Sequence, residues 1–271
     1  MTNLDILVVA WNGVSEPLRH IQFDAPRNFR LYLFNYTGGD QKPVLPDGKS
    51  VDGVFSHKTE FKGQLLHKLC PDVMPLTYRY IGIMDDDHEI TVSGINQLIE
   101  IAVRENADSF QPSITPNSYY SHRCFVQKPG ASPEQMCWLE IMAPFMRKVI
   151  FESAYPFYAT NISSYGIDRY VYPYLQRKMG MDRKLLIHAV ALRHLRPVTP
   201  GSKVLSSGLD SLQECEIIRK EILQRIRKEK LHFTNRELRV IFELWKPRVF
   251  KWRDDIVRQW RILTGTRTAV R

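Results

Sequence analysis

Apolar residues fall along this chain in two rhythms. Predominantly apolar runs at 4–10, 31–36, 80–84 and 185–194 read as buried strands, because a strand covered on both faces has little polar side to show. A shorter run near 51–55 reads as another strand, as does 110–116, and 138–146 reads as a strand with a bend. Between them the spacing turns helical. Phe61, Leu65, Leu66 and Leu69 share one face, with Pro71 as the expected stop. Ser93 reads as the N-cap of a helix through Glu105 that gathers Ile95, Leu98, Ile99, Ala102 and Val103. Further helices are expected over 149–157 and after Tyr165-Gly166-Ile167-Asp168, and 117–133, with Pro129, Gly130 and Pro133, reads as a long loop. Strands alternating with helices predict an α/β sandwich around a mostly parallel sheet.

Composition narrows the class. A hydrophobic fraction of 44% and a charged fraction of 25% suit a sizeable core. The four cysteines, Cys70, Cys124, Cys137 and Cys215, form no C-x-x-C pair, which predicts reduced thiols and argues against zinc. The first residues lack the basic start of a signal peptide, and no apolar run has the length of a membrane span, so a cytoplasmic location is expected. The net charge of +9 is concentrated: residues 211–271 hold sixteen Lys and Arg against eight Asp and Glu. The basicity therefore belongs to a C-terminal appendage at 206–271, and a near-neutral domain at 1–205 precedes it.

The chemistry gathers where the apolar run Tyr80-Ile81-Gly82-Ile83-Met84 empties into Asp85-Asp86-Asp87. Carboxylates at the carboxyl end of a buried strand stand where open α/β sheets bind ligands. Three adjacent acids need a counter-charge, and a hard divalent cation shared with phosphates would supply one. A solvated acidic turn is the simpler alternative. The G-x-G-x-x-G, P-loop and G-x-S-x-G patterns are absent, against a dinucleotide oxidoreductase, a P-loop NTPase and a serine hydrolase.

The strand running into these acids resembles the D-x-D element of GT-A-fold, nucleotide-sugar-dependent glycosyltransferases. Its order with Trp138-Leu139-Glu140-Ile141-Met142-Ala143-Pro144, Tyr165-Gly166-Ile167-Asp168 and His194-Leu195-Arg196-Pro197 is similar to uncharacterised plant and bacterial proteins that share W-x-E-x-M-A-P, W-G-[LI]-D and V-H-L-like segments. Tyr165 departs from the usual tryptophan. The resemblance covers 78–200 and implies a GT-A-like, Rossmann-like sandwich plus a C-terminal helical appendage.

It further implies Asp87 as a metal ligand, Asp85 sharing the ion or holding the ribose, and His194 completing a Mn²⁺ or Mg²⁺ site. A buried structural His194 is the plain alternative, and His188 is expected to be structural. Asp168 is the preferred base for an acceptor hydroxyl, although it could simply cap a helix; Glu140 could bind the acceptor or be the base instead. Ala10, Trp11 and Asn12 at the first strand's end, with Asp85 and Asp86, would meet the nucleotide. Lys62 would approach the diphosphate or stay solvated, and Trp138 would stack on a sugar or belong to the core.

The implied activity moves a sugar from a nucleotide-sugar donor to a glycan or lipid-linked acceptor in bacterial surface polysaccharide synthesis. A metal-dependent phosphotransferase or nuclease, or a non-catalytic membrane-associated scaffold, are the alternatives.

In the appendage, amphipathic helices are expected over 211–230 and 235–263, with Thr234 and Glu237 as a capping box. Three of the five tryptophans, Trp245, Trp252 and Trp260, recur there among arginines. That pattern suits the inner face of an anionic membrane, or packing against the main domain or a second copy. No nucleic-acid motif is present.

Overall fold

The computed structural model describes residues 5–45, 49–197 and 204–243. Among them ten strands form one mixed sheet. They are β1 (Asp5–Trp11), β2 (Ile21–Gln22), β3 (Phe29–Asn35), β4 (Gly53–Ser56), β5 (Tyr80–Met84), β6 (His88–Thr91), β7 (Ser109–Ile114), β8 (Glu134–Gln135), β9 (Phe145–Arg147) and β10 (Lys184–His194). The order runs β4-β3-β1-β5-β9-β7-β10-β6-β2, with β8 added to β10. The pairs among β4, β3, β1 and β5, and β7 with β10, are parallel, whereas β9 runs antiparallel between β5 and β7. The expected mostly parallel α/β sandwich with C-terminal helices is what forms.

The apolar runs become the centre of the sheet. Every residue of β1 and β5 is buried, and so is all of β7. Helix α1 spans Lys62–Val73 and α2 spans Val92–Arg104. Helix α2 packs on β10 and β7, burying the predicted Ile95, Leu98, Ile99 and Ala102. Two boundaries differ from expectation. Pro71 lies inside α1 instead of stopping it; the last turn keeps its hold because Cys70 and Val73 are fully buried, and the Met74 N–H donates to the Cys70 carbonyl. Thr91, not Ser93, caps α2, its hydroxyl accepting from the Gly94 N–H, because β6 runs directly into the helix. Helices α3 (Lys148–Ser153), α4 (Tyr155–Tyr158) and α5 (Tyr172–Met179) follow, α5 entered through a π turn at Ile167–Val171.

Helix α6 (Ser211–Lys228) opens on a capping box between Asp210 and Gln213. Its buried Glu214 accepts hydrogen bonds from the Ile162 N–H (2.8 Å), the Ser163 N–H (2.8 Å) and the Ser163 hydroxyl (2.6 Å). The Thr234–Glu237 capping box starts the short α7 (Asn235–Glu237), which continues as a π turn at Leu238–Glu243. Arg169 donates to the Val240 and Ile241 carbonyls. The described part of the appendage is therefore packed on the main domain. Trp245, Trp252 and Trp260 lie outside the described residues, and with them the rest of the expected second helix. No helix among the described residues is long and apolar enough to cross a membrane.

Segment 161–163, held by Glu214, also fixes the start of α1. A Cβ on Gly63 would stand 2.3 Å from the Asn161 carbonyl oxygen and 2.6 Å from that of Ile162. Backbone atoms cannot rotate aside, so Gly63→Ala should cost about 1–3 kcal/mol, read as a shift in the denaturant midpoint. An unshifted midpoint would show that α1 is not wedged here.

Candidate functional site

The three acids follow β5, and the late histidine reaches them through an irregularity in β10. From Lys184 to Ile187 this strand pairs with β7; its register then shifts before Ala191, and Arg193 and His194 pair antiparallel with β6. His194 thus becomes the cross-strand neighbour of His88, and the Leu195 N–H donates to the Asp87 carbonyl at 3.0 Å. The imidazole Nε2 of His194 lies 3.2 Å from Asp87 Oδ2. Its Nδ1 lies 2.9 Å from the Tyr119 carbonyl, which accepts an Nδ1–H and leaves Nε2 turned toward the acid.

The chain itself supplies cations for the acidic triplet. Lys62 Nζ lies 2.9 Å from Asp85 Oδ1 and donates to the Met142 carbonyl at 3.0 Å, tying β5 to the Trp138–Pro144 loop. Arg196 Nε donates to Asp87 Oδ2 at 2.9 Å, and its Nη2 donates to Asp86 Oδ1. Charge repulsion within the triplet is therefore no argument for a metal. Buried groups without partners point to one instead. Asp87, His88 and His194 each offer one ligand atom within 4.8 Å of the others. Asp87 Oδ1 and both ring nitrogens of His88 are buried and make no hydrogen bond. Such orphaned groups each cost about 1–3 kcal/mol, and a carboxylate with two imidazoles is a donor set that fits a divalent transition ion. Asp85 stands outside this cluster, paired with Lys62.

Protonation follows the same environment. Full burial pushes His88 down to about 4, against the pull of Asp85 and Asp87, so it is a neutral imidazole near pH 7. Burial would raise the Asp87 carboxyl, but the His194 hydrogen bond, the charge of His88 once acid protonates it, and the charges of His194 and Arg196 hold it well below the usual carboxylate range. Burial would lower His194, yet its bond to Asp87 raises it overall. Asp86 is raised, chiefly by burial.

Ala10 and Trp11 line one cleft with Asp85, Asp86, His88 and residues 15–21. Trp11 donates through Nε1 to the Ser15 carbonyl at 2.8 Å. Asn12 turns inward on its own loop, its Oδ1 accepting from the N–H groups of Val14 and Ser15. Trp138 is 5% exposed and sits edge-on to His122 and Phe125, with Arg169 stacked over its ring at 5.1 Å. That is the environment of a core residue. His188 is buried against Glu134 and the Lys128 backbone, as a structural histidine would be.

Glu140, in the Trp138–Pro144 loop, and Asp168, in the π turn, are brought side by side through the Ile141 N–H. Burial pushes Glu140 up to about 8, with the charge of Asp168 adding to it and those of His194 and Lys62 opposing it. Burial likewise raises Asp168 to about 6, tempered by the Ile141 N–H that donates to its Oδ2 at 3.1 Å. Hydrogen bonds from the Ile141 N–H to Asp168 and from Lys62 to the Met142 carbonyl hold the residues next to Glu140 against both side chains. Glu140 holds its proton when folded over a pH range in which the unfolded chain has released it. Stability should therefore fall as pH rises from about 4.5 toward about 8. In Glu140→Gln this slope should flatten, shifting the stability gap toward the variant by roughly 3 kcal/mol between pH 5 and 8. Parallel slopes in denaturant titrations would reject the buried acid.

His88 and Arg196 are absent from the expected set. Each carried a signal: His88 adjoins the acids, and Arg196 stands two residues past His194, the spacing that returns an extended chain to the same face.

No protein-family model matches this chain, and no curated protein matches it. Solved structures do. S. aureus TarS 1-349 in complex with UDP-GlcNAc superposes with a TM-score of 0.53 at 10% identity, covering 96% of this chain and 81% of that one. The same protein in complex with UDP gives 0.48 at 10% identity, covering 100% and 94%. At that identity the first likeness is one of fold.

Proposed function

We propose that this chain is a GT-A-type glycosyltransferase that moves a sugar from a nucleotide-sugar donor to a glycan or lipid-linked acceptor in bacterial surface glycan synthesis. The observation that carries the reading is the meeting of Asp87 and His194 at 3.2 Å, across the end of β5 and the bent end of β10. It occurs in a fold whose relative, S. aureus TarS, is seen with UDP-GlcNAc.

Asp87, His88 and His194 are the residues that would hold a divalent ion, and two imidazoles favour Mn²⁺ over Mg²⁺. Such an ion supplies charge stabilisation to a departing diphosphate. The chain's own residues do the rest. Ala10 and Trp11 stand beside Asp85 and Asp86, where the nucleotide would lie once residues 15–21 give way, and Lys62 fixes Asp85. Asp168, raised to about 6 yet ionised at neutral pH, accepts the proton of the attacking acceptor hydroxyl. Glu140 stays protonated beside it, so the base is not opposed by a second charge. The basic appendage would hold the enzyme at the inner face of an anionic membrane, where a lipid-linked acceptor resides.

Thermal-shift titration against UDP-, GDP-, CMP- and dTDP-sugars with Mn²⁺ tests the reading. One donor class should stabilise the fold by about 2.7 kcal/mol at a hundred times its Kd. No shift with any of them would reject a nucleotide-sugar enzyme.

A further inference from the structure

Arg196 is bound in an unusual place for a residue beside a cation site. Its Nε shares Asp87 Oδ2 with His194, and its Nη2 binds Asp86, so one guanidinium bridges two of the three acids. The other oxygen of Asp87, Oδ1, is left buried and unpartnered, and the residue clusters with His88 and His194, one ligand atom of each within 4.8 Å of the others. Unlike those groups the Arg196 side chain is 53% exposed, and it lies just past the end of β10, so it can swing away without opening the core.

We propose that Arg196 is a built-in stand-in cation: it neutralises Asp86 and Asp87 while the site is empty, yields them to an incoming divalent ion, and then pairs with the donor's diphosphate. The inference rests on the glycosyltransferase reading and adds a role that neither the fold nor the metal cluster requires. A divalent ion at Asp87, His88 and His194 would sit beside a fixed positive charge, and Coulomb repulsion weakens its binding until that charge is drawn elsewhere. A diphosphate presents oxygens in the geometry a guanidinium fork prefers. The exchange therefore links the two ligands: each binds more tightly when the other is present, by reciprocal coupling. Free metal alone is held weakly, and the acids are never left facing one another uncompensated.

The test is Mn²⁺ binding followed by electron paramagnetic resonance on the full chain, with and without UDP. In Arg196→Gln, Mn²⁺ alone should bind about tenfold more tightly than in the wild type, and UDP at saturating Mn²⁺ about tenfold more weakly. Arg196→Lys, which keeps the charge, should hold Mn²⁺ within about threefold of wild type. Unchanged or weaker Mn²⁺ binding in Arg196→Gln, with wild type binding Mn²⁺ and UDP and Asp87→Asn losing both, would overturn the stand-in role alone. A wild-type chain that binds neither ligand would overturn it together with the functional reading.

Discussion

Asp87→Asn should lower divalent-dependent transfer from the donor sugar nucleotide at least about a hundredfold, the equivalent of about 3 kcal/mol of transition-state charge stabilisation. Asn has nearly the shape of Asp but no charge, so the backbone contact from Leu195 to residue 87 should survive. What is lost is the anionic partner of both His194 Nε2 and Arg196 Nε. Arg196 then keeps only Asp86 as an anionic partner and burial favours a neutral His194, so a stability loss of roughly 1–3 kcal/mol should accompany the loss of rate. The two effects separate by measurement. Chemical denaturation reads the first, and initial rates as a function of Mn²⁺ read the second below the melting temperature. A variant with wild-type rate and unaltered divalent dependence would remove Asp87 from the metal set.

The second large effect is expected at Asp168. Replacing it with Asn should reduce kcat about 10²–10⁴-fold while leaving nucleotide affinity near the wild-type value, because the residue would touch the acceptor and not the diphosphate. Its carboxyl is raised to about 6 by burial, so the wild-type rate should climb as pH passes through that value. The sign follows from the role: a base works ionised, and protonation below about 6 disables it. In Asp168→Asn the acid limb should disappear along with the rate. Glu140→Gln gives the contrast. The neutral carboxyl is replaced by a neutral amide, so the limb near 6 should remain, and activity should hold to higher pH because no charge can form beside Asp168 near 8. If Glu140→Gln abolished the acid limb instead, the two acids would exchange roles.

Parts of this molecule were plain in its residue pattern. The runs of β1 and β5 are buried on both sheet faces, and β10 opens on an apolar, buried Leu185–Ile187, so their strand character needed no tertiary knowledge. Helix α2 follows from period alone, and the Thr234–Glu237 box from chemistry confined to one turn. The acidic end of β5 and a late histidine were likewise visible. Short strands were harder: β6 and β9 have four and three residues, too few for a period to emerge, and they exist because neighbouring edges accept their hydrogen bonds.

What the sequence determined by itself is therefore the local and the repetitive: which stretches are buried, which are helical, and where the carboxylates stand. Tertiary structure decided who meets whom. The register shift in β10 sets His194 opposite His88, and no residue pattern in either strand announces that pairing. Lys62 on Asp85, Arg196 across Asp86 and Asp87, and the Ile141 N–H on Asp168 are likewise joined over long stretches of chain. The physical reason is common to all of them. Burial and period are properties of a few neighbouring residues, whereas the charge a carboxylate feels depends on which distant side chain the fold brings within a few ångströms of it.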